Sequence, residues 1–435
     1  MKISGCVDGA HFDARAMAAV LVLINPMVKA QHPAPTQPDR LSLTSCNLPE
    51  CRNDMKFNRL LSFVAAAVLC ATTARAGETI TLTDVAGREV TVEVPIKHMI
   101  LGEGRFLPSI GILDPENPVR WIAGMMGEFK QLDPGSYAQY EAKFPEIDDI
   151  PLIGRSGEAT FSVEKALTVE PDVAIFGMSG GHGPGSKSHE ILSVLGAAHI
   201  PVVMIDFRSK PFENTPKSIR ILGKLMGKED QAEAFVKFYE ENLHKVTDKT
   251  AQITDKPSVF LESRVGLQQN CCEAMGNEMI GKFVELAGGN NVFGDEIPGV
   301  IAQVSIEQLL LKNPDYYVTT AVGSAGLDPE LNSKRIVLGA STSAQQAAAS
   351  LAHSMERTGL SELSAVKSGH VYSVWHHVYN NPINVTTLQA MAKWFHPETF
   401  ADLDPDATLG TFFKRFQAVD LNGVYWIGLD QASSL

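Results

Sequence analysis

Residues 228–251 read KEDQAEAFVKFYEENLHKVTDKTA, a stretch without glycine or proline. Ala232, Phe235, Tyr239 and Leu243 or Val246 recur at three- and four-residue spacing, which places them on one face of an α-helix. At 1.5 Å rise per residue such a helix spans roughly 35 Å. That length suits a rigid strut between two lobes; a plain surface helix is the other reading. Short β-rich apolar runs flank it. HMILG (98–102), PVRWIAG (118–124), DVAIFG (172–177) and PVVMID (201–206) come before, and SVFLES (258–263), DYYVTT (315–320) and HVYSVW (370–375) after. Helical patterns separate the runs, and strand–helix alternation of this kind builds parallel sheets covered on both faces. The expected architecture is α/β: two doubly wound lobes with mainly parallel sheets, residues 77–227 and 253–435, joined by one long helix over 228–252.

Further out, residues 55–76 read MKFNRLLSFVAAAVLCATTARA, with Lys56 and Arg59 ahead of an apolar stretch and Ala74-Arg75-Ala76 at its end. This is the pattern of a cleaved secretory signal peptide, whose apolar core is too short to span a bilayer. Leu69 before Cys70 is too bulky for a lipoprotein site, so a non-lipidated product of the periplasm is expected. Residues 1–54 show no sustained periodicity and read as a misassigned start or an unstructured extension. Taking away residues 1–76 removes 8 of the 37 Lys+Arg and 5 of the 50 Asp+Glu, leaving 29 basic and 45 acidic side chains, a net −16. That charge argues against nucleic acid or an anionic membrane as partner. Of six cysteines only Cys271 and Cys272 lie beyond residue 76, so no disulfide framework is expected.

The two halves echo each other. Phe161-Ser162-Val163-Glu164-Lys165-Ala166-Leu167, closing on Pro171-Asp172, matches Val304-Ser305-Ile306-Glu307-Gln308-Leu309-Leu310, closing on Pro314-Asp315. Each reads as a Ser-capped helix that stops before proline and passes straight into a strand. With this repeat, the opening LTDVAGREVTVEVP (82–95), the run LGKLMGKEDQAEAF (222–235) and FVELAGGNNVFGD (283–295), the chain resembles the substrate-binding proteins of ABC importers for iron-siderophores, haem and cobalamin. The resemblance implies two α/β lobes on one long helix, a ligand held between them with little hinge motion, and a membrane permease and ATPase as partners. It also implies that Glu164 and Glu307, one exposed carboxylate per lobe, dock on the permease. Either glutamate would also favour its own helix dipole wherever it docks.

Ligands of open α/β sheets bind beyond the C-terminal ends of the strands. Arg105, Arg155, Arg208 and Arg264 stand at such positions. Guanidinium forks suit carboxylate, hydroxamate or catecholate oxygens, so the four predict an anionic ligand, unless each is paired with Glu103, Glu158, Asp206 or Glu262. Trp375, His376, His377 and Tyr379 follow the run HVYSV and offer an aromatic plane and imidazoles to a chelate or its metal. Cys271 and Cys272, expected at the start of a helix, could join as a ring disulfide or present thiolates to a soft metal. GMSGGHG (177–183) lacks the ending of a nucleotide P-loop and reads as a flexible loop, with His182 and His189 solvated.

The reading that follows is a monomeric, non-enzymatic carrier of a ferric siderophore or related iron(III) chelate, with no cofactor of its own. Haem and cobalamin are rival cargoes. A secreted redox enzyme using Cys271-Cys272 ranks lower for want of a Cys-x-x-Cys motif, and a free-metal carrier third because arginine repels a bare cation. Phe395, Phe400, Phe412 and Phe416 read as core of helices packed on the second lobe.

Overall fold

The computed structural model describes residues 77–179, 181–267, 271–324 and 334–432. The expected leader and the extension before it lie outside them. A hairpin of β1 (Glu78–Thr83) and β2 (Glu89–Val94) opens the described chain. Five parallel strands follow: β3 (Met99–Leu101), β4 (Ile122–Met126), β5 (Leu152–Gly154), β6 (Val173–Gly177) and β7 (Val202–Ile205), in the order β5-β4-β3-β6-β7. Their side chains alternate between two cores. Ile100, Ala174, Phe176 and Met204 pack on one face with Ile153 and Leu195, and Leu101, Ile175, Val203 and Ile205 enter the larger core on the other. A sheet buried on both faces is the doubly wound arrangement the apolar runs predicted.

The chain then passes through the helix Pro211–Met226, closed by Gly227 in the left-handed conformation (φ 63°), and into the helix Glu229–Thr250. At 22 residues it is close to the predicted extent. Ala232, Phe235, Tyr239 and Val246 are buried as the periodicity required, but the buried stripe is wider and takes in Val236, Phe238 and Asn242.

The second sheet holds β8 (Ser258–Glu262), β9 (Glu273–Met275), β10 (Asn290–Asn291), β11 (Ile301–Gln303), β12 (Tyr316–Ala321), β14 (Val371–Trp375) and β16 (Trp426–Gly428). A small ribbon pairs β13 (Gly339–Ala340) with β15 (Gly423–Val424). The main order is β11-β9-β8-β12-β14-β16, with β10 beside β8. Strands β8, β12 and β14 run parallel at its centre, flanked by antiparallel β9 and β16. Both sheets lie within one compact unit, Ala74–Leu435.

The internal echo is physical. Ser162 caps Val163–Thr168 through the Lys165 N–H, and Ser305 caps Ile306–Lys312 in a full capping box with Gln308. Each Pro-Asp aspartate then clamps the start of the adjacent strand. Asp172 accepts from the backbone of Lys97 (2.6 Å) and His98 (2.8 Å) before β3, and Asp315 accepts from the backbone (2.9 Å) and hydroxyl (2.6 Å) of Ser258 at the start of β8. One expectation needs correcting. The C-terminal helices do not pack on the second lobe alone: Phe412 and Phe416 meet the ring of Phe235 at 6.1 and 5.4 Å, and Gln417 donates to the Pro108 carbonyl (3.2 Å) in the first lobe. The connecting helix gives their aromatic face a partner that a lobe-by-lobe reading omits.

Candidate ligand cleft

Strand ends from both sheets converge on a cavity of about 450 Å³, within the usual range for small-molecule sites. In the first sheet β4 and β5 lie to one side of β3, and β6 and β7 to the other. The order therefore reverses between β3 and β6, the position where open α/β sheets bind ligands. Arg105 follows β3, Ser179, Gly181 and His182 follow β6, and Arg208 follows β7; all line the cavity. From the second sheet Ser263, Arg264 and Leu267 follow β8, Val322 follows β12, and His376, His377 and Tyr379 follow β14.

The floor is a charge cluster. Arg105 and Arg208 are 5% and 7% exposed and share one carboxylate, Glu103, itself 3% exposed. Arg105 Nη2 donates to Glu103 Oε1, and Arg208 Nη2 donates to both oxygens at 3.2 and 3.1 Å. Asn380 Nδ2 adds a third donor at 2.6 Å. Burial alone would raise the Glu103 pKa, but Arg208, then Arg105 and His182, outweigh it and hold the carboxyl below its ordinary value. Two guanidiniums against one carboxylate leave a net positive charge. The Tyr379 ring lies 4.9 Å from the Arg208 guanidinium carbon, and its hydroxyl accepts from Arg105 Nη1 (3.3 Å). The Nε atoms of Arg105 and Arg208 are buried without a hydrogen-bond partner among the described residues. Below them Glu128 accepts the Arg105 backbone N–H (3.1 Å), and burial, with the charge of Glu103, pushes its pKa up to about 8.

The imidazoles differ in what they can offer. Arg105 Nη1 donates to His377 Nδ1 (2.7 Å), so that ring is the Nε2–H tautomer and donates to the Leu132 carbonyl (2.8 Å). With both nitrogens engaged, His377 is not the metal ligand the sequence suggested. His376 Nδ1 pairs with Thr320 Oγ1 (2.9 Å), which also accepts the Arg264 N–H (2.7 Å). Burial, then the charges of neighbouring His and Arg groups, keeps His376 and His377 well below the ordinary imidazole range. His182 was expected in solvent but is half-buried on the cavity wall, beside Ser156 (3.0 Å), and burial with Arg105 lowers its pKa to about 4. Its loop is glycine-rich for a steric reason. A Cβ at Gly181 would lie 1.6 Å from Arg208 Nη1, and one at Gly183 1.7 Å from the Gly102 carbonyl. The loop is therefore pressed onto the floor.

Several predicted ligands fall elsewhere. Arg155 follows β5 at the far edge of its sheet and is exposed outside the cavity. Trp375 is buried beneath the site, edge-on to His377 (5.4 Å) and Tyr425 (5.3 Å), and offers no stacking face. Cys271 and Cys272 form a disulfide, precede strand β9 rather than a helix, and do not line the cavity. With Glu262 they make the one group of three or more His, Cys, Asp or Glu ligand atoms within 4.8 Å of one another among the described residues, but Glu262 is held by Arg357 at 2.7 and 2.8 Å. Arg264 lines the cavity but is paired with Glu273 (2.8 Å), not Glu262. The sequence reading missed Arg335, Met275 and Met279, all on the wall. No spacing signal marks them, since Met275 ends the antiparallel strand β9 and Met279 and Arg335 stand in loops rather than at parallel strand ends.

A family model described as periplasmic binding protein matches residues 130–375, more than half of the chain. The chain belongs to the periplasmic binding protein family. A search of curated proteins gave no match. Among solved structures the chain is similar to the TroA-like periplasmic binding protein FepB from Veillonella parvula, with 28% identity, 80% of this chain and 99% of that one covered, and a TM-score of 0.72. It shares its fold with the molybdate periplasmic binding protein MolA from Haemophilus influenzae (18% identity, 79% and 99% covered, TM-score 0.58). The same holds for CeuE from Helicobacter pylori with Ni(II) bound (16% identity, 78% and 95% covered, TM-score 0.55). As a periplasmic binding protein the chain is a solute-binding component of the ABC-transporter type, and the family implies the periplasm as its place of work. Among the described residues no helix is long and apolar enough to cross a membrane.

Proposed function

We propose that this periplasmic binding protein captures an anionic iron(III) chelate of the siderophore type as a monomer and delivers it to the permease and ATPase of an ABC importer. The observation that carries the reading is the floor: two buried arginines that share a single carboxylate and keep a net positive charge facing the cavity. A bare cation would be repelled there, whereas a chelate's oxygens would meet charge-assisted donors. In the same reading Glu164 and Glu307, both exposed in the first turn of matching capped helices, dock on the permease.

The test is a tryptophan-fluorescence titration of the purified protein, since Trp375 lies directly beneath the site. Ferric siderophores form the panel, with haemin, cobalamin and Zn²⁺ as alternatives. Saturable quenching by a ferric chelate should weaken by at least about a hundredfold in Arg105→Ala/Arg208→Ala, each arginine contributing about 1.5–3 kcal/mol in bonds to a charged group. Arg155→Ala should leave it unchanged. Silence toward every ferric chelate, with tight binding of haemin or Zn²⁺ instead, would sink the siderophore reading.

A further inference from the structure

The disulfide between Cys271 and Cys272 has no part in the cleft, and it is no staple of the fold either. A disulfide stabilises by closing a loop of chain, and its effect grows with the length of that loop. These two cysteines are neighbours in sequence and enclose none. What the bond fixes is the backbone of its own two residues, and their position gives this a consequence. They stand at the head of an edge ribbon. Strand β9 pairs antiparallel with β11, and Cys272 extends the ladder by one more pair: its N–H donates to the Val304 carbonyl and its carbonyl accepts the Val304 N–H, both at 2.9 Å. Among the described residues β9 meets β8 through a single register pair, Ala274 with Glu262, and through the Ser263 N–H, which donates to the Glu273 carbonyl (2.7 Å). Two short strands are marginal by themselves, so a restraint at their head matters. Val304 leads directly into Ser305, the cap of the helix Ile306–Lys312 that carries Glu307. The two sulfurs are also unequal in access: Cys272 is fully buried and Cys271 only half-buried.

We propose that Cys271–Cys272 is a redox-modification site, reduced in the folded protein by an external dithiol that enters at Cys271, and that the Cys272–Val304 pair carries the change to the Ser305 cap and Glu307. One thiolate of the dithiol attacks Cys271 Sγ. The S–S bond breaks, and its electron pair leaves with Cys272, which takes up a proton. The second thiolate then attacks the dithiol sulfur of the mixed disulfide, closing the dithiol's own disulfide and releasing Cys271, which takes up the second proton. Two electrons and two protons pass from the dithiol to the protein. With the bond gone the backbone at 271–272 regains its freedom, the ribbon loosens from its head, and Glu307 loses its fixed setting. The bearing on delivery rests on the docking role proposed for Glu307; the exchange chemistry and the loosening do not.

The first measurement is exchange with the purified native protein. Dithiothreitol should reduce the pair without denaturant. Iodoacetamide should label the thiol left in Cys272→Ala at least about tenfold faster than the one left in Cys271→Ser, read on the peptide that carries them, because reactivity follows access. Reduction that proceeds only in urea, or a Cys272 thiol as fast as Cys271, would overturn the site. The second measurement is hydrogen exchange by mass spectrometry on peptides covering 299–312, in oxidised protein, in dithiothreitol-reduced protein and in Cys271→Ser/Cys272→Ala. Exchange should rise about tenfold in the last two, the order expected when one residue regains its backbone freedom, while peptides over 172–177 and 201–205 of the first sheet stay unchanged. Equal exchange in all three forms would overturn the coupling to the docking helix. If exchange rises and Glu164→Arg/Glu307→Arg still supports uptake at the normal rate, the docking role falls and the redox site stands.

Discussion

Replacing Glu103 with glutamine should move stability and affinity in opposite directions. The carboxylate takes bonds from Arg105, Arg208 and Asn380 and is the shared counter-ion of the floor. Removing one partner from a buried ion-pair cluster costs about 3–5 kcal/mol, because the charges left behind are uncompensated. The cavity gives the two guanidiniums some contact with water, which puts the expected loss near the lower bound, about 3 kcal/mol. For an anion seated on the same floor the sign reverses. A carboxylate charge about 6 Å from the ligand's charge repels it by roughly 3 kcal/mol at an effective dielectric of about 20. Glu103→Gln should therefore bind an anionic chelate some tenfold to a hundredfold more tightly, with the gain shrinking as salt is added. Urea unfolding and fluorescence titration on the same preparation would read both numbers. Affinity that falls together with stability would refute the charge-balance reasoning and recast Glu103 as a scaffold that aims the arginines. Unchanged affinity would mean that the anion does not sit on this floor.

Two further outcomes follow from the same geometry. Glu128, buried beneath Arg105, has its pKa raised from 4.5 to about 8. The stability contributed by its neutral form is thus fully present below about pH 4.5 and is lost as pH rises through about 8; Glu128→Gln should flatten the decline in melting temperature between pH 5 and 8.5, and parallel curves for the two proteins would count against it. Glu164→Arg/Glu307→Arg should leave cargo affinity within about twofold while abolishing uptake by cells that rely on this carrier, and uptake at the normal rate would remove these two residues from the permease contact.

Much of the fold could be read from the sequence because its signals are local. The stretch without Gly or Pro, with apolar residues every three or four positions, specifies the long helix, and a capping serine with a closing Pro-Asp specifies a capped helix that feeds a clamped strand. The width of the helix's buried stripe was not readable. Phe238 is buried against Phe416, and Asn242 beneath Gln389 of the helix Asn384–Phe395, and those partners lie more than 140 residues away.

The site was half legible, and strand order explains which half. The rule that ligands sit beyond strand ends is indifferent among Arg105, Arg155 and Arg208, since each follows a strand. Only the order β5-β4-β3-β6-β7 separates them. Arg105 follows the strand beside the reversal, Arg208 follows β7 and reaches back across β6 to Glu103, and Arg155 leaves from the edge two strands away. The same order explains His182. Its loop follows β6, on the other side of the reversal, so it has to close over the floor, and glycines at 181 and 183 let the backbone pass where any Cβ would collide with Arg208 or Gly102. A glycine-rich run after a strand is therefore ambiguous between a slack loop and one pressed against a neighbour. Tertiary contact decides it, and here it puts Ser179, Gly181 and His182 of that run on a wall of the candidate site.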